Sequence, residues 1–491
     1  MSASRSSRRC LDPALTWRER LLVLPILAVA VVFPGWNAGG ITVWADWVYL
    51  GLGAAGMVAL LLPMPGRERE RQWRLRPADN LMRLLRFPVF WLGLLFFFYL
   101  MLSLSNYWAV FHSNGLVWWL VSVEPIGWLP SSIEAPYGAH NSLRLMVQWS
   151  GPFLLVCVAW VGLVRSRVVT GLLLLAMLNA VAFTVVALLQ QISDTRMILG
   201  LVPYGPNLTP YGTFINANAA AMFLYLHLAL ALGMTLSFVR RTQAGADNFA
   251  GLIYSVICAT VIAVGLVGSL SRGALLFGGL IIGAFILAAL LRLKNGTPSE
   301  RKRLFVLIAG GVLATSTALA FFFQRDTEKL ESEAASLVSA LRNPAEEVRL
   351  KIIGTCLQMY LEKPWLGWGA NSFRFAYPEF QRTSPALVDE EGNITSHFDY
   401  AHTDWLQVPI EFGLLGALPL LLMLLWWLFQ AVRYRYNFSS ANGFMLFGAA
   451  LAFAHAAFDF VFYNPPILMV FAFWVSLAVR QLLLLERRSK R

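Results

Sequence analysis

Apolar stretches approaching twenty residues recur from one end of this chain to the other, and no other feature constrains its fold as tightly. Trp91 to Leu104, Val169 to Leu189, Leu252 to Val267 and Leu304 to Phe323 are examples. Such runs suit the hydrocarbon thickness of a bilayer, where a backbone N–H or C=O finds no water. Each run must therefore satisfy its own backbone, and it does so as an α-helix. With 58% hydrophobic and only 13% charged residues, a soluble core of this length is excluded. The expected fold is an all-α polytopic membrane protein.

The basic residues orient it. Arg5 to Arg20, Arg67 to Arg86, Arg165 and Arg167, Arg240 and Arg241, Arg292 to Arg303, Arg433 and Arg435, and the tail from Arg480 hold 28 of the 39 Lys+Arg. Taken as inside segments, they put both termini in the cytoplasm with about twelve helices between. This count needs Leu21 to Phe33 as a retained first span, although its five preceding arginines and Ala28-Val-Ala30 resemble a secretory signal. The net charge of +12 is thus topological and suits an anionic inner leaflet; nucleic acid need not be invoked. Cys10, Cys157, Cys258 and Cys356 are scattered between the inside tail, two spans and the long outer loop, so no disulfide framework is expected. No C-x-x-C or H-E-x-x-H spacing points to a bound metal, and no cofactor is expected.

Outer segments carry few basic residues that topology explains. Outside one long loop these are Arg144, Arg196 and Arg272. Arg272 lies in the short connection Gly268-Ser-Leu-Ser-Arg-Gly273, which holds its guanidinium at the membrane interface. There it either snorkels to lipid phosphates and caps a helix, or meets an anionic substrate. The outer segment 190–218 is rich in Pro, Gly, Tyr and Asn and ends in Tyr211-Gly-Thr-Phe-Ile-Asn216-Ala-Asn218 before an alanine-rich span. Asn216 and Asn218 either bond a phosphate or sugar at that helix N-terminus or serve as an ordinary cap.

The long loop, 324–404, has eight basic and twelve acidic side chains over 324–403, a mixed surface expected of a folded element. It runs through the charged stretch Asp326 to Glu347, then Val348-Arg349-Leu-Lys351, Lys363-Pro-Trp-Leu-Gly-Trp-Gly369 and Tyr400-Ala-His402-Thr-Asp404, with Glu411-Phe-Gly413 opening the next span. Arg349 presents a bidentate fork matched to phosphate, and the imidazole of His402 can take a proton from a hydroxyl. His112, His140, His227 and His397 have no comparable setting and are read as structural. His455 and Asp459, four residues apart in the late apolar run Phe444 to Phe462, read as a packing pair on one helix face, with a proton relay as the alternative.

Gly212-Thr-Phe-Ile-Asn216-Ala-Asn218, Ser271-Arg272-Gly273, Arg349, Ala401-His402-x-Asp404-x-Leu406-Gln407 and Glu411-Phe-Gly413-x-x-Gly416 resemble, in order and side, the O-antigen ligase and polymerase superfamily. The resemblance covers roughly 200–420. It implies a GT-C-like glycosyltransferase of the bacterial inner membrane that moves a glycan, without a metal, from undecaprenyl pyrophosphate to a hydroxyl acceptor in the periplasm. Arg272 and Arg349 would hold the leaving pyrophosphate and His402 would activate the acceptor, with Asn216, Asn218, Lys351 and Asp404 as substrate-binding candidates. The implied organisation is N-terminal helices over 1–190 with a basic loop at 64–87, a ligase-like core over 191–430, and C-terminal helices with a basic tail over 431–491. A ligase acting on lipid A core is expected ahead of a polymerase joining lipid-linked repeat units, although His455-Ala-Ala-Phe-Asp459 and Asn464-Pro-Pro466 resemble polymerase relatives. Thr403, where the family often has Asn, and Ala219-Ala-Ala221 are departures that bear on the acceptor. A flippase or transporter is the reading from another class, and it lacks an internal repeat and charged spans.

Overall fold

The computed structural model describes residues 17–40, 42–63, 77–193, 197–199, 202–203, 209–243, 249–295, 310–311, 316, 320, 348–384, 387–394 and 396–489. Its main helices, in chain order, are α1 (Leu24–Val32), α2 (Val43–Leu61), α3 (Pro77–Leu85), α4 (Pro88–Leu104), α5 (Ser142–Gly162), α6 (Ser166–Ser193) and α7 (Ala217–Gln243). There follow α8 (Phe249–Gly268), α9 (Arg272–Asn295), α10 (Val348–Glu362), α11 (Phe373–Arg382), α12 (Asp404–Arg433), α13 (Ser440–His455) and α14 (Pro465–Ser489). Between α4 and α5 lie β1 (Tyr107–Ser113), β2 (Trp118–Ser122) and β3 (Ser132–Glu134).

Among the described residues eight helices are long and apolar enough to cross a membrane, or nine with the bent pair α3 and α4. The protein is thus a mostly helical, polytopic membrane protein. The described residues do not reach the expected twelve spans. Leu24–Val32 has 9 residues and Ser440–His455 has 16, while the run Leu304 to Phe323 and the charged stretch Asp326 to Glu347 lie almost wholly outside the described residues.

α7 is the axis of the bundle, buried throughout its span. In lipid there is no solvent-driven gain from pressing apolar helices together, so close contact depends on small side chains. Gly448 of α13 abuts Ala229, and Gly53 and Gly56 of α2 lie against Leu154 and Val158 of α5. The two ends differ in chemistry. At one end arginines close the helix termini: Arg18 donates to the Ala59, Leu60 and Leu62 carbonyls, Arg480 to Leu163 O, and Arg292 to Leu236 O and Ser440 Oγ. The opposite end gathers the β-strands, the segment 363–403 and the candidate site residues.

One long helix is broken. α12 kinks at Gly413 (φ 58°, ψ −174°), a conformation open to glycine alone at little cost. The segment 364–369 inserts at the kink: Leu414 N donates to Pro364 O (2.8 Å), Leu415 N to Trp365 O (3.1 Å), Trp368 N to Ile410 O (2.9 Å) and Gly369 N to Glu411 O (2.8 Å). The Tyr99 hydroxyl lies between the Leu366 and Phe412 carbonyls. Backbone groups freed by the break are thereby re-satisfied within the protein, the condition for irregular chain at membrane depth.

Candidate active site at one end of the helical bundle

Four helix ends meet around a small set of polar side chains. Asn216 caps α7, its Oδ1 accepting from Asn218 N (2.8 Å), so the capping reading holds for Asn216. Asn218 instead turns its amide to Asp459, with Nδ2 donating to Oδ2 at 3.4 Å.

α9 starts at Arg272, whose side chain is exposed at the helix N-terminus, where the macrodipole favours an anion. Ser271, one residue before, is buried, and among the described residues its hydroxyl has no hydrogen-bond partner. Gly273 is the contact point with α13: a Cβ built there would lie 2.7 Å from His455 Nε2. The imidazole of His455 is buried against Phe277 (ring centroids 4.7 Å apart) with its Nδ1 3.4 Å from the Tyr225 hydroxyl. The motif Ser271-Arg272-Gly273 is therefore seated on His455.

α13 ends at His455, so His455 and Asp459 do not share a helix face as their spacing suggested. Asp459 falls in the following turn and is buried, its Oδ1 accepting from Phe460 N (2.9 Å). Asp404, at the start of α12, fixes that turn: its Oδ2 accepts from Val461 N (2.7 Å) and Phe462 N (2.6 Å), and its own N–H donates to Ala456 O (2.8 Å). Asp404 is thus occupied in holding the chain that carries Asp459. His402 adopts a left-handed backbone (φ 51°), uncommon outside glycine, and this swings its ring toward Asp459. Its Nδ1 lies 3.8 Å from Asp459 Oδ1 and makes no hydrogen bond at that distance. The ring packs edge-on to Phe460 (5.4 Å) and keeps 30% of its side chain exposed, so the opposite nitrogen is the one a substrate can meet.

The 363–403 segment is anchored by Glu411, a buried carboxylate that accepts from Asn371 N (2.8 Å), Tyr463 Oη (2.8 Å), Phe373 N (3.3 Å) and Gln407 Nε2 (3.3 Å). Arg349 and Lys351 occupy the first turn of α10, and their side chains lie outside the described residues, as does Arg196. Beside His402, Arg374 stacks over Tyr400 (5.2 Å) and pairs with Asp399 (3.6 Å), and Tyr400 in turn stacks on Phe460. The hydrogen bond from His397, and after it the Arg374 charge, hold the Asp399 carboxyl below the usual carboxylate range.

An apolar cavity of about 440 Å³ opens next to this set, lined by Phe97 of α4, Phe153 of α5, Leu420 of α12 and Leu468 and Phe471 of α14, and reaching Asp404 and Trp405 at one end. Its walls suit a hydrocarbon chain and its end touches the polar cluster.

Arg272, His402, Asp404, Asn216 and Asn218 thus gather at one end of the bundle. Asp459 and His455 join them there, although their spacing alone read as helix packing. Their chemical type was the available signal, since an aspartate in an apolar run is costly unless it is used.

Fold and site together define a multi-pass helical membrane protein with an anion-favouring helix terminus, a histidine–carboxylate pair and an apolar cavity at one end. Residues 253–421 match the family model described as O-antigen ligase, and this match supports the resemblance of that stretch to the O-antigen ligase and polymerase superfamily, whose members are membrane glycosyltransferase-like enzymes. The matched stretch contains Arg272, Arg349, His402, Asp404 and Glu411 but stops short of His455 and Asp459. No curated protein matches the chain.

Proposed function

We propose that this protein transfers a glycan from undecaprenyl pyrophosphate to a hydroxyl acceptor, acting as an O-antigen ligase on lipid A core at the periplasmic face of the bacterial inner membrane. The observation that carries this reading is the meeting of the α9 N-terminus with the His402–Asp459 pair inside a domain of that family. The basic opposite end, taken as cytoplasmic, gives the orientation, and the twelve-span GT-C-like arrangement belongs to the same reading.

The leaving pyrophosphate rests at the start of α9, where the helix dipole, the unpartnered Ser271 hydroxyl and the Arg272 guanidinium favour negative charge. Arg349 supplies a second cation from α10. His402 donates Nδ1–H toward Asp459, the 3.8 Å separation tightening once substrate is bound, and this leaves Nε2 as the base. The acceptor O–H gives its proton to Nε2 while its oxygen attacks the anomeric carbon. The bond from that carbon to the pyrophosphate oxygen breaks, the electron pair leaves with the pyrophosphate, and configuration inverts. Asp459 orients the ring and balances the imidazolium, and Asn218 orients Asp459. The cavity beside Asp404 accommodates part of the isoprenoid chain.

Purified protein in liposomes, given undecaprenyl-pyrophosphate-linked glycan with either lipid A core or a second lipid-linked repeat unit, tests this. The reading expects product on lipid A core, lost in Arg272→Ala and His402→Ala. Product only on the second repeat unit identifies a polymerase, and no product on either acceptor removes the transferase reading.

A further inference from the structure

The chain between Arg86 and Arg144 contains no lysine or arginine, and from Ser105 to Ile133 its only charged residue is Glu124. Part of this stretch is the sheet β2-β1-β3, which lies beyond the end of α4. One face of the sheet is spoken for: Ala109 and Ile133 pack with Phe375 of α11, flanked by Phe111, Trp118 and Leu120. Among the described residues nothing covers the other face and the hairpin turn. Leu116 is 94% exposed and Trp128 78%, with Val117, Trp119, Val121 and Ile126 exposed around them. On a water-facing edge strand, proteins place charges and prolines that prevent pairing and aggregation; β2 has none.

We propose that the hairpin 107–128 rests in the headgroup and acyl boundary of the leaflet surrounding the site end of the bundle, with Leu116, Trp119 and Trp128 as its anchors. Two observations favour lipid as the occupant. The patch is tied to a lipid-facing helix: α4 exposes Trp91, Leu95, Phe98 and Met101 along one side and ends at Leu104. Two residues on, Asn106 clamps the second half of the patch, its Nδ2 donating to the carbonyls of Ile126 (3.1 Å), Leu129 (3.3 Å) and Pro130 (3.2 Å) and its Oδ1 accepting from Ile126 N (2.8 Å). The apolar surface therefore continues the lipid-facing surface of the helix past its end. The outer edge of β2 sets the depth, because among the described residues no strand pairs with it and its backbone groups need water or headgroups; the hairpin lies at the interface and does not enter the hydrocarbon. Tryptophans favour that level. Through Phe375 the same hairpin holds α11, so the leaflet braces the 363–403 segment above the site.

The test is the accessibility of a nitroxide at Leu116→Cys and at Trp128→Cys, with Glu391→Cys in an exposed acidic turn as the aqueous reference and unsubstituted labelled protein as the blank. The full chain is reconstituted in phosphatidylethanolamine–phosphatidylglycerol liposomes, and collisions with oxygen, which partitions into lipid, are compared with those of a water-soluble nickel chelate. The expected result is an oxygen-to-nickel collision ratio at 116 and 128 several-fold above that at 391. Nickel accessibility equal to position 391 would put the hairpin in water, and shielding from both reagents would mean that protein covers it; either overturns the proposal. The outcome does not depend on whether the protein transfers glycans.

Discussion

Gly273→Ala isolates the contact between α9 and α13. The added methyl would lie 2.7 Å from Nε2 and 3.1 Å from Cε1 of His455, inside the distance at which real side chains pack. His455 has little freedom to yield, being buried between Phe277 and Tyr225. Relief must come from a shift of the α9 N-terminus or of the ring, at an overpacking cost of about 1–3 kcal/mol. Either shift moves Ser271 and Arg272 relative to Asp459, and misplacements below an ångström are enough to slow a positioned reaction. Gly279→Ala on the same helix is the control, because a Cβ there meets nothing within 4 Å. Thermal unfolding in detergent and glycan transfer are measured on both. A lowered midpoint and at least tenfold slower transfer are expected for Gly273→Ala, against wild-type behaviour for Gly279→Ala. Identical behaviour of the two variants would refute the packing of the motif on His455.

Asp46→Asn should destabilise the protein by about 3–5 kcal/mol, because it removes the carboxylate charge 2.9 Å from the buried Arg144 guanidinium. Asp46→Leu combined with Arg144→Leu should recover most of the loss in chemical denaturation, and an equally unstable double variant would count against this. His140 supplies a pH dependence: burial first, then the charges of Arg374 and Arg144, push its imidazole down to about 3 from an ordinary 6.5. The unfolded chain then binds the proton more readily, so this contribution to stability is complete above pH 6.5 and is lost as pH falls from there toward about 3. His140→Asn, which tolerates the left-handed backbone (φ 61°), should flatten the fall in thermal midpoint over that window, and an unchanged slope would show that other groups carry it. Glu411→Ala should release the 363–403 segment, seen as faster limited proteolysis there, since four donors lose one acceptor; unaltered cleavage would contradict the anchoring role.

The spans were legible in the sequence because lipid leaves a long apolar run one backbone solution: Val169 to Leu189 and Leu252 to Val267 sit inside α6 and α8. The hairpin was not, since Tyr107 to Ser122 lies next to a membrane span, where apolar residues carry no strand signal of their own. Nor was the break in α12. Gly413 looks like any helical glycine until Pro364 and Trp365, far back in the chain, supply the missing hydrogen bonds. At the site, Arg272 and His402 stood out because charge in an outer segment needs a reason. Asp459 was assigned to a helix face that ends four residues earlier, and its meeting with His402 depends on Asp404 gripping the turn at Val461 and Phe462. That is a tertiary contact with no local signature. The motif Asn216-Ala-Asn218 divided into a cap and a contact with Asp459, a split that spacing cannot reveal.

In the proposed transfer His402, inside the matched stretch, and Asp459, beyond it, act as one unit. The most direct measurement is a double-mutant cycle on the transfer rate with His402→Gln, Asp459→Asn and the two combined, each checked for folding by its thermal midpoint. Both single variants should transfer slowly, and the double variant should be about as slow as His402→Gln alone. A double variant slowed by the product of the two single effects, or an Asp459→Asn variant with wild-type rate, would contradict this.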